Sequence, residues 1–166
     1  IGLEPHNWVT AWVAITDSNE HNGCMRIWSG SHKDNLKKHN QMFNEGNLLT
    51  RGQTVKNVPI EKTTPLILKA GQMSLHHPTV VHGSDLNKSN DRRIGFVIQS
   101  YIGTNVKQVL GKNGVQLARG KDNYNFHETI KRPKSLMDKN DIKIKKQEND
   151  NLHEIFYKGS SKKGNY

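Results

Sequence analysis

Between Gly71 and Tyr101 the chain carries three of its nine histidines, His76, His77 and His82, and a pair of arginines, Arg92 and Arg93. An imidazole at a strand end can ligate a divalent metal through one nitrogen while a backbone or carboxylate partner holds the other. An arginine on the following strand presents a planar, five-donor fork that matches a carboxylate. Together they suit an α-keto acid that chelates iron at one end and pairs with arginine at the other. Non-haem Fe(II) sites built from two histidines and one carboxylate leave open positions for such chelation. Taken singly, each histidine reads as an ordinary hydrogen-bonded core or surface residue. Their clustering beside Gly83-Ser84 and the two arginines is what points to a site. Pro78 interrupts the strand register, so alternation alone does not put His76 and His82 on one face.

The elements that must position these groups read as strands. Val9 to Thr16 is an apolar, β-branched and aromatic run of the kind found in a buried strand. Turn residues at Asp17-Ser18-Asn19 and His21-Asn22-Gly23 lead into a second run, Cys24 to Trp28, which Ser29-Gly30-Ser31 stops. Pro65 to Lys69, Met73 to His76, Thr79 to His82 and Ile94 to Ile102 follow, with a weaker piece at Val115 to Ala118. Short strands at close spacing, with Gly and Asn turns and little helical period, predict an all-β sandwich or barrel. A double-stranded β-helix (jelly roll, cupin-like) is the natural candidate. From His32 to Thr64 the chain is polar and keeps neither period, which reads as an active-site lid or as a partly ordered insertion.

Composition limits the function classes. At 166 residues the chain fits one ordinary domain, and its 33% of hydrophobic residues thins out after Gly120. The expected organisation is therefore a core over residues 1–124 and a polar extension over 125–166. In that extension Asp138 to Tyr157 reads as a short helix with Ile142, Ile155 and Phe156 as its apolar points, and the terminal GSSKKGNY reads as disordered. A net charge of +10 raises nucleic-acid binding as a possibility. The lysines are scattered, however, apart from Lys143, Lys145 and Lys146, and no aromatic residues interleave with that cluster. Solvated surface charge is the expectation. The single cysteine, Cys24, permits no intrachain disulfide and suits a reducing compartment, taken as the cytoplasm. No apolar run approaches a membrane span.

The segments AWVAITDSNEHNGCMRIWSGSHK and AGQMSLHHPTVVHGSDLNKSNDRR, taken together, resemble the phytanoyl-CoA dioxygenase family of Fe(II)- and 2-oxoglutarate-dependent oxygenases. The likeness runs from about Trp8 to Ile102, with LLTRGQ at Leu48 to Gln53 and ARGKDNY at Ala118 to Tyr124 similar to bacterial members. It implies a jelly-roll enzyme that uses Fe(II), 2-oxoglutarate and O₂ to hydroxylate a small-molecule substrate. By position, His82 matches the family's distal iron ligand, and Arg93 the arginine that binds the far carboxylate of 2-oxoglutarate, with Arg92 as the fallback. Ser84 resembles a serine that helps hold that carboxylate, and Trp12 a tryptophan lining the cosubstrate pocket. His76 and His77 have no ligand role by this likeness and are expected to line the site.

The departures are informative too. The family's first two ligands form a His-x-Asp motif, which belongs just ahead of the opening IGLEPH; neither His6-Asn7-Trp8 nor Glu4-Pro5-His6 supplies it. The expectation is a chain that begins downstream of the motif, binds iron poorly by itself and leaves strand edges unpaired. Because related halogenases replace that carboxylate, the sequence does not separate hydroxylation from halogenation. Two other readings stand beside the oxygenase: a non-catalytic jelly-roll binding module that has lost the iron site, and a basic nucleic-acid binder.

Overall fold

The computed structural model of the chain describes residues 2–34, 36–43, 49 and 52–160. In chain order its strands are β1 (Leu3–Glu4), β2 (Trp8–Ala14), β3 (Met25–Trp28), β4 (Asn40–Gln41), β5 (Gln53–Thr54), β6 (Thr63–Pro65), β7 (Met73–His76), β8 (His82–Ser84), β9 (Gly95–Ile102) and β10 (Lys107–Gln108), followed by helix α1 (Lys139–Tyr157). The described residues of Trp8–Asn47 and Gly52–Ile102 pack as one unit, and those of Ile1–Asn7, Leu48–Arg51 and Gly103–Tyr166 as a second.

Two antiparallel sheets make up the first unit, in the orders β7-β2-β9 and β6-β3-β8. Along the chain, β2, β3, β6, β7, β8 and β9 fall in the first, second, second, first, second and first sheet. This passing to and fro between sheets is the winding of a double-stranded β-helix, the jelly roll that the sequence predicts. Each central strand is one of the apolar runs nearest the start of the chain. β2 buries Ala11, Trp12 and Ala14, as a strand flanked on both sides must. Cys24, at the mouth of β3, is buried as well, and burial pushes its thiol pKa up. It therefore stays protonated and serves as packing.

Several boundaries differ from the sequence reading, each for a physical reason. The expected run Thr79 to His82 is not a strand; Pro78-Thr79 turns the chain and β8 begins at His82, because proline has no N–H to give a ladder. Likewise β6 ends at Pro65, which pairs with Arg26, and beyond it in the expected Pro65 to Lys69 Leu68 bridges to Ser18. In the polar stretch from His32 to Thr64, the described residues include the β4–β5 ladder and single turns of 3-10 helix at Ser31–Lys33 and Ile60–Lys62. Residues 44–48, 50 and 51, which include half of LLTRGQ, lie outside the described residues.

In the second unit β1 pairs with β10. The Asp138 carboxylate caps α1 by accepting from the backbone N–H groups of Asn140 and Asp141, which satisfies donors that a helix start leaves open. Of the three apolar points expected on this helix, Ile155 is buried, but Ile142 is 47% exposed and Tyr157 is buried instead. Residues 161–166, the end of the expected disordered tail, lie outside the described residues. Among the described residues no helix is long and apolar enough to cross a membrane.

The turn between β2 and β3 closes on the loop that follows β8. Asn22 is buried, donates from Nδ2 to the Asp17 carbonyl and accepts from Asn19 N at Oδ1. Gly23 then takes φ +74°, and a Cβ there would stand 2.6 Å from Asp85 O. Glycine is required on both counts. Gly23→Ala is expected to lower unfolding free energy by about 1–3 kcal/mol, read as a reduced urea midpoint with little change in slope.

Candidate metal and carboxylate site

The site lies where the two sheets come together. β8 contributes His82 and Ser84, whose spacing of two places them on one face of the strand. The opposite sheet supplies Trp12 from β2, His76 from β7, and Arg93 from the residues leading into β9.

Arg93 meets Ser84 and Trp12. Its Nη2 donates to Ser84 Oγ at 3.4 Å, a long bond, and its guanidinium lies over the Trp12 ring at 5.8 Å from the centroid. That is the range of a cation–π contact. Among the described residues no carboxylate lies within ion-pair distance of it. A partly buried guanidinium with most of its five donors uncommitted is suited to receive a carboxylate. Arg92, by contrast, is exposed, and the backbone carbonyl is its part in the arrangement: it accepts from Thr16 Oγ1 at 3.0 Å. Of the two candidate arginines, the fold brings Arg93 to Ser84 and Trp12.

His82 has its Nδ1 3.0 Å from Val80 O. Donation there leaves the lone pair on Nε2, the arrangement seen when a histidine is oriented for a metal. Its ring stands 5.7 Å from that of His76, tilted by 42°. This pairing is not visible in sequence, because it joins β7 of one sheet to β8 of the other. His76 is 5% exposed, and its Nε2 is engaged by Ser74 Oγ at 2.9 Å. His77 turns elsewhere: its ring packs on His32 at 5.6 Å, and its Nδ1 bonds Thr79 Oγ1. Among the described residues no group of three His, Cys, Asp or Glu side chains could hold a metal ion. The described residues therefore do not complete an iron site.

Against known proteins, the profile of the phytanoyl-CoA dioxygenase family matches residues 3–95, a stretch that holds Trp12, His76, His82, Ser84 and Arg93. The chain belongs to the phytanoyl-CoA dioxygenase family. Peroxisomal phytanoyl-CoA dioxygenase of Mus musculus is 28% identical over 107 residues, covering 64% of this chain and 31% of the mouse protein. The Homo sapiens enzyme is 30% identical over 86 residues, covering 51% of this chain and 25% of the human protein. This family member thus spans less than a third of the length of those relatives. Among solved structures, the non-heme monooxygenase ThoJ in its apo form superposes with a TM-score of 0.81 at 26% identity, over 95% of this chain and 56% of that one. Its nickel complex superposes with a TM-score of 0.73 at 25% identity, over 95% and 55% of the two chains.

Two residues near Arg93 escaped sequence reasoning, Thr16 and Gly95. Thr16 Oγ1 donates to Arg92 O and accepts from Ile94 N at 2.9 Å, on either side of Arg93. Gly95 lies so close to Trp12 that a Cβ there would stand 2.1 Å from the indole. Neither is visible without the pairing of β2 with β9.

Burial, with His82 beside it, holds the His76 pKa below the ordinary histidine value. The unfolded chain therefore takes up this proton more readily than the folded one. The contribution of His76 to stability is complete above the ordinary pKa and is lost as pH falls through it toward the depressed value. Urea midpoints measured from about pH 7.5 down to about 5.5 are expected to fall, and to fall less in His76→Gln.

Proposed function

We infer that this chain carries the cosubstrate half of an Fe(II)- and 2-oxoglutarate-dependent oxygenase that hydroxylates a small organic molecule. The observation that carries the reading is Arg93, a guanidinium with no acidic partner among the described residues, set against Ser84 and over Trp12. Arg93 would take the far carboxylate of 2-oxoglutarate, with Ser84 Oγ as a further donor to it. Trp12, 8% exposed, would wall the pocket and keep water from competing for the fork. His82, its Nδ1 fixed by Val80 O, would present Nε2 to the iron. When bound, iron supplies the O₂ chemistry that couples 2-oxoglutarate decarboxylation to attack on a C–H bond. The protein is read as acting in the cytoplasm, on the strength of its single, buried cysteine. Halogenation belongs to the same cofactor chemistry, and hydroxylation is preferred as the commoner outcome in the family.

A second reading is a jelly-roll module that binds a dicarboxylate without catalysis. That the described residues hold no group of three metal-ligating side chains favours it. The two readings differ in iron dependence: the oxygenase binds Fe(II) through His82, and the module does not.

Calorimetric titration with 2-oxoglutarate is expected to give binding that Arg93→Ala weakens about 10- to 100-fold, the loss of hydrogen bonds to a charged group. Anaerobic Fe(II) titration is expected to show weak binding that His82→Ala removes. Unchanged 2-oxoglutarate affinity in Arg93→Ala, or unchanged Fe(II) affinity in His82→Ala, contradicts the oxygenase reading.

A further inference from the structure

We propose that Thr16 and Gly95 are positioning residues that hold Arg93 in its carboxylate-binding pose, Thr16 by clamping the backbone on both sides of it and Gly95 by leaving room for Trp12 beneath it. The proposal rests on the reading of Arg93 as a carboxylate anchor.

Arg93 needs such help. It precedes β9 and so falls outside the sheet ladder that would otherwise fix its backbone. Thr16 takes over that role from just beyond the end of β2. Its hydroxyl donates to Arg92 O at 3.0 Å and accepts from Ile94 N at 2.9 Å, so one side chain satisfies a group on each neighbour of Arg93. Two backbone bonds add to the clamp, from Ile15 N and Thr16 N to Ile94 O, at 3.0 and 3.2 Å. With these groups fixed, residue 93 has little freedom to turn its side chain away from Ser84.

Gly95 acts on the same guanidinium from the other side. β2 and β9 pair Trp12 with Val97 and Ala14 with Gly95, so Trp12 and Gly95 are diagonal neighbours on one sheet face. Alternation places Arg93, Gly95 and Val97 along that face. The glycine leaves a gap between Arg93 and Val97, and the Trp12 indole fills it. Three ring atoms lie 2.1, 2.2 and 2.5 Å from where a Cβ at residue 95 would be. An aromatic laid across a strand glycine is a known way to stabilise such a position. Here it also carries the indole to within reach of Arg93. Because the obstacle to a Cβ is a buried ring, the ring has to leave if residue 95 acquires a side chain.

The test uses the metal-free chain and 2-oxoglutarate as the probe, with dissociation constants from calorimetry and folding checked by thermal unfolding. Thr16→Val keeps the shape of the side chain and removes both hydrogen bonds; it is expected to weaken binding about tenfold. Thr16→Ser keeps the hydroxyl and is expected to restore it. Gly95→Ala is expected to weaken binding to a similar degree, but to add no further loss on a Trp12→Ala background, since the two changes act through one ring. If Arg93→Ala weakens binding while Thr16→Val and Gly95→Ala bind like the wild type, the positioning proposal is wrong and the anchor stands. If Arg93→Ala binds like the wild type, the anchor itself is wrong and the proposal goes with it. A loss in Thr16→Val that Thr16→Ser shares equally also overturns the role given to the hydroxyl.

Discussion

An arginine with no counter-charge among the described residues is the constraint on which the reading of both sheets' inner faces depends. Taking a guanidinium partly out of water costs free energy unless something compensates it. Around Arg93 the compensation is incomplete: a long bond to Ser84 Oγ and the face of Trp12. Neither neutralises the charge. A protein that fixes a cation in this way and leaves its fork open is set up to bind an anion, and the spread of the fork favours a planar carboxylate. The buried indole beneath it lowers the local dielectric and so strengthens that attraction. The winding of the fold is what makes this possible, since Ser84 comes from one sheet and Trp12 and Arg93 from the other.

The same winding sets the His76 ring of β7 5.7 Å from the His82 ring of β8. The two histidines look alike in sequence and are treated very differently by the fold. His76 is sealed in, tied to Ser74 and kept neutral by burial, whereas His82 is exposed with one nitrogen oriented by a backbone carbonyl. Orientation of this kind is what separates a ligand from a core histidine. It also explains the asymmetry of the site. On the proposed reading the carboxylate end gathers Arg93, Ser84 and Trp12, and the metal end has His82.

Much of this was legible beforehand. Periodicity and turn chemistry located β2, β3, β7 and β9 to within two residues, because buried strands are written in runs such as Val9 to Thr16 that few other elements use. Where proline ends a ladder the reading slipped, at Pro65 and again at Pro78, since an apolar run says nothing about which N–H groups it can donate. Helix α1 was read over Asp138 to Tyr157 with Ile142, Ile155 and Phe156 as its apolar points, but the residues it buries are Ile155 and Tyr157; a helix whose anchoring residues bunch in its last turn shows no clear stripe. His82, Ser84, Arg93 and Trp12 were named through family likeness, and the motif His82-Gly83-Ser84 could be seen directly. Thr16 and Gly95 could not. Their part depends on which residue of β9 faces which residue of β2, and strand register is a property of the pair.

The central claim is that Arg93 binds a carboxylate over the Trp12 ring, and the indole N–H of Trp12 reports on it directly. In ¹H–¹⁵N spectra, with the cross-peak assigned by Trp12→Phe, titration with 2-oxoglutarate is predicted to shift the Trp12 indole resonance saturably. Titration with 2-oxobutyrate, an α-keto acid without the far carboxylate, is predicted to leave it in place. A resonance that responds equally to both acids, or to neither, contradicts the account.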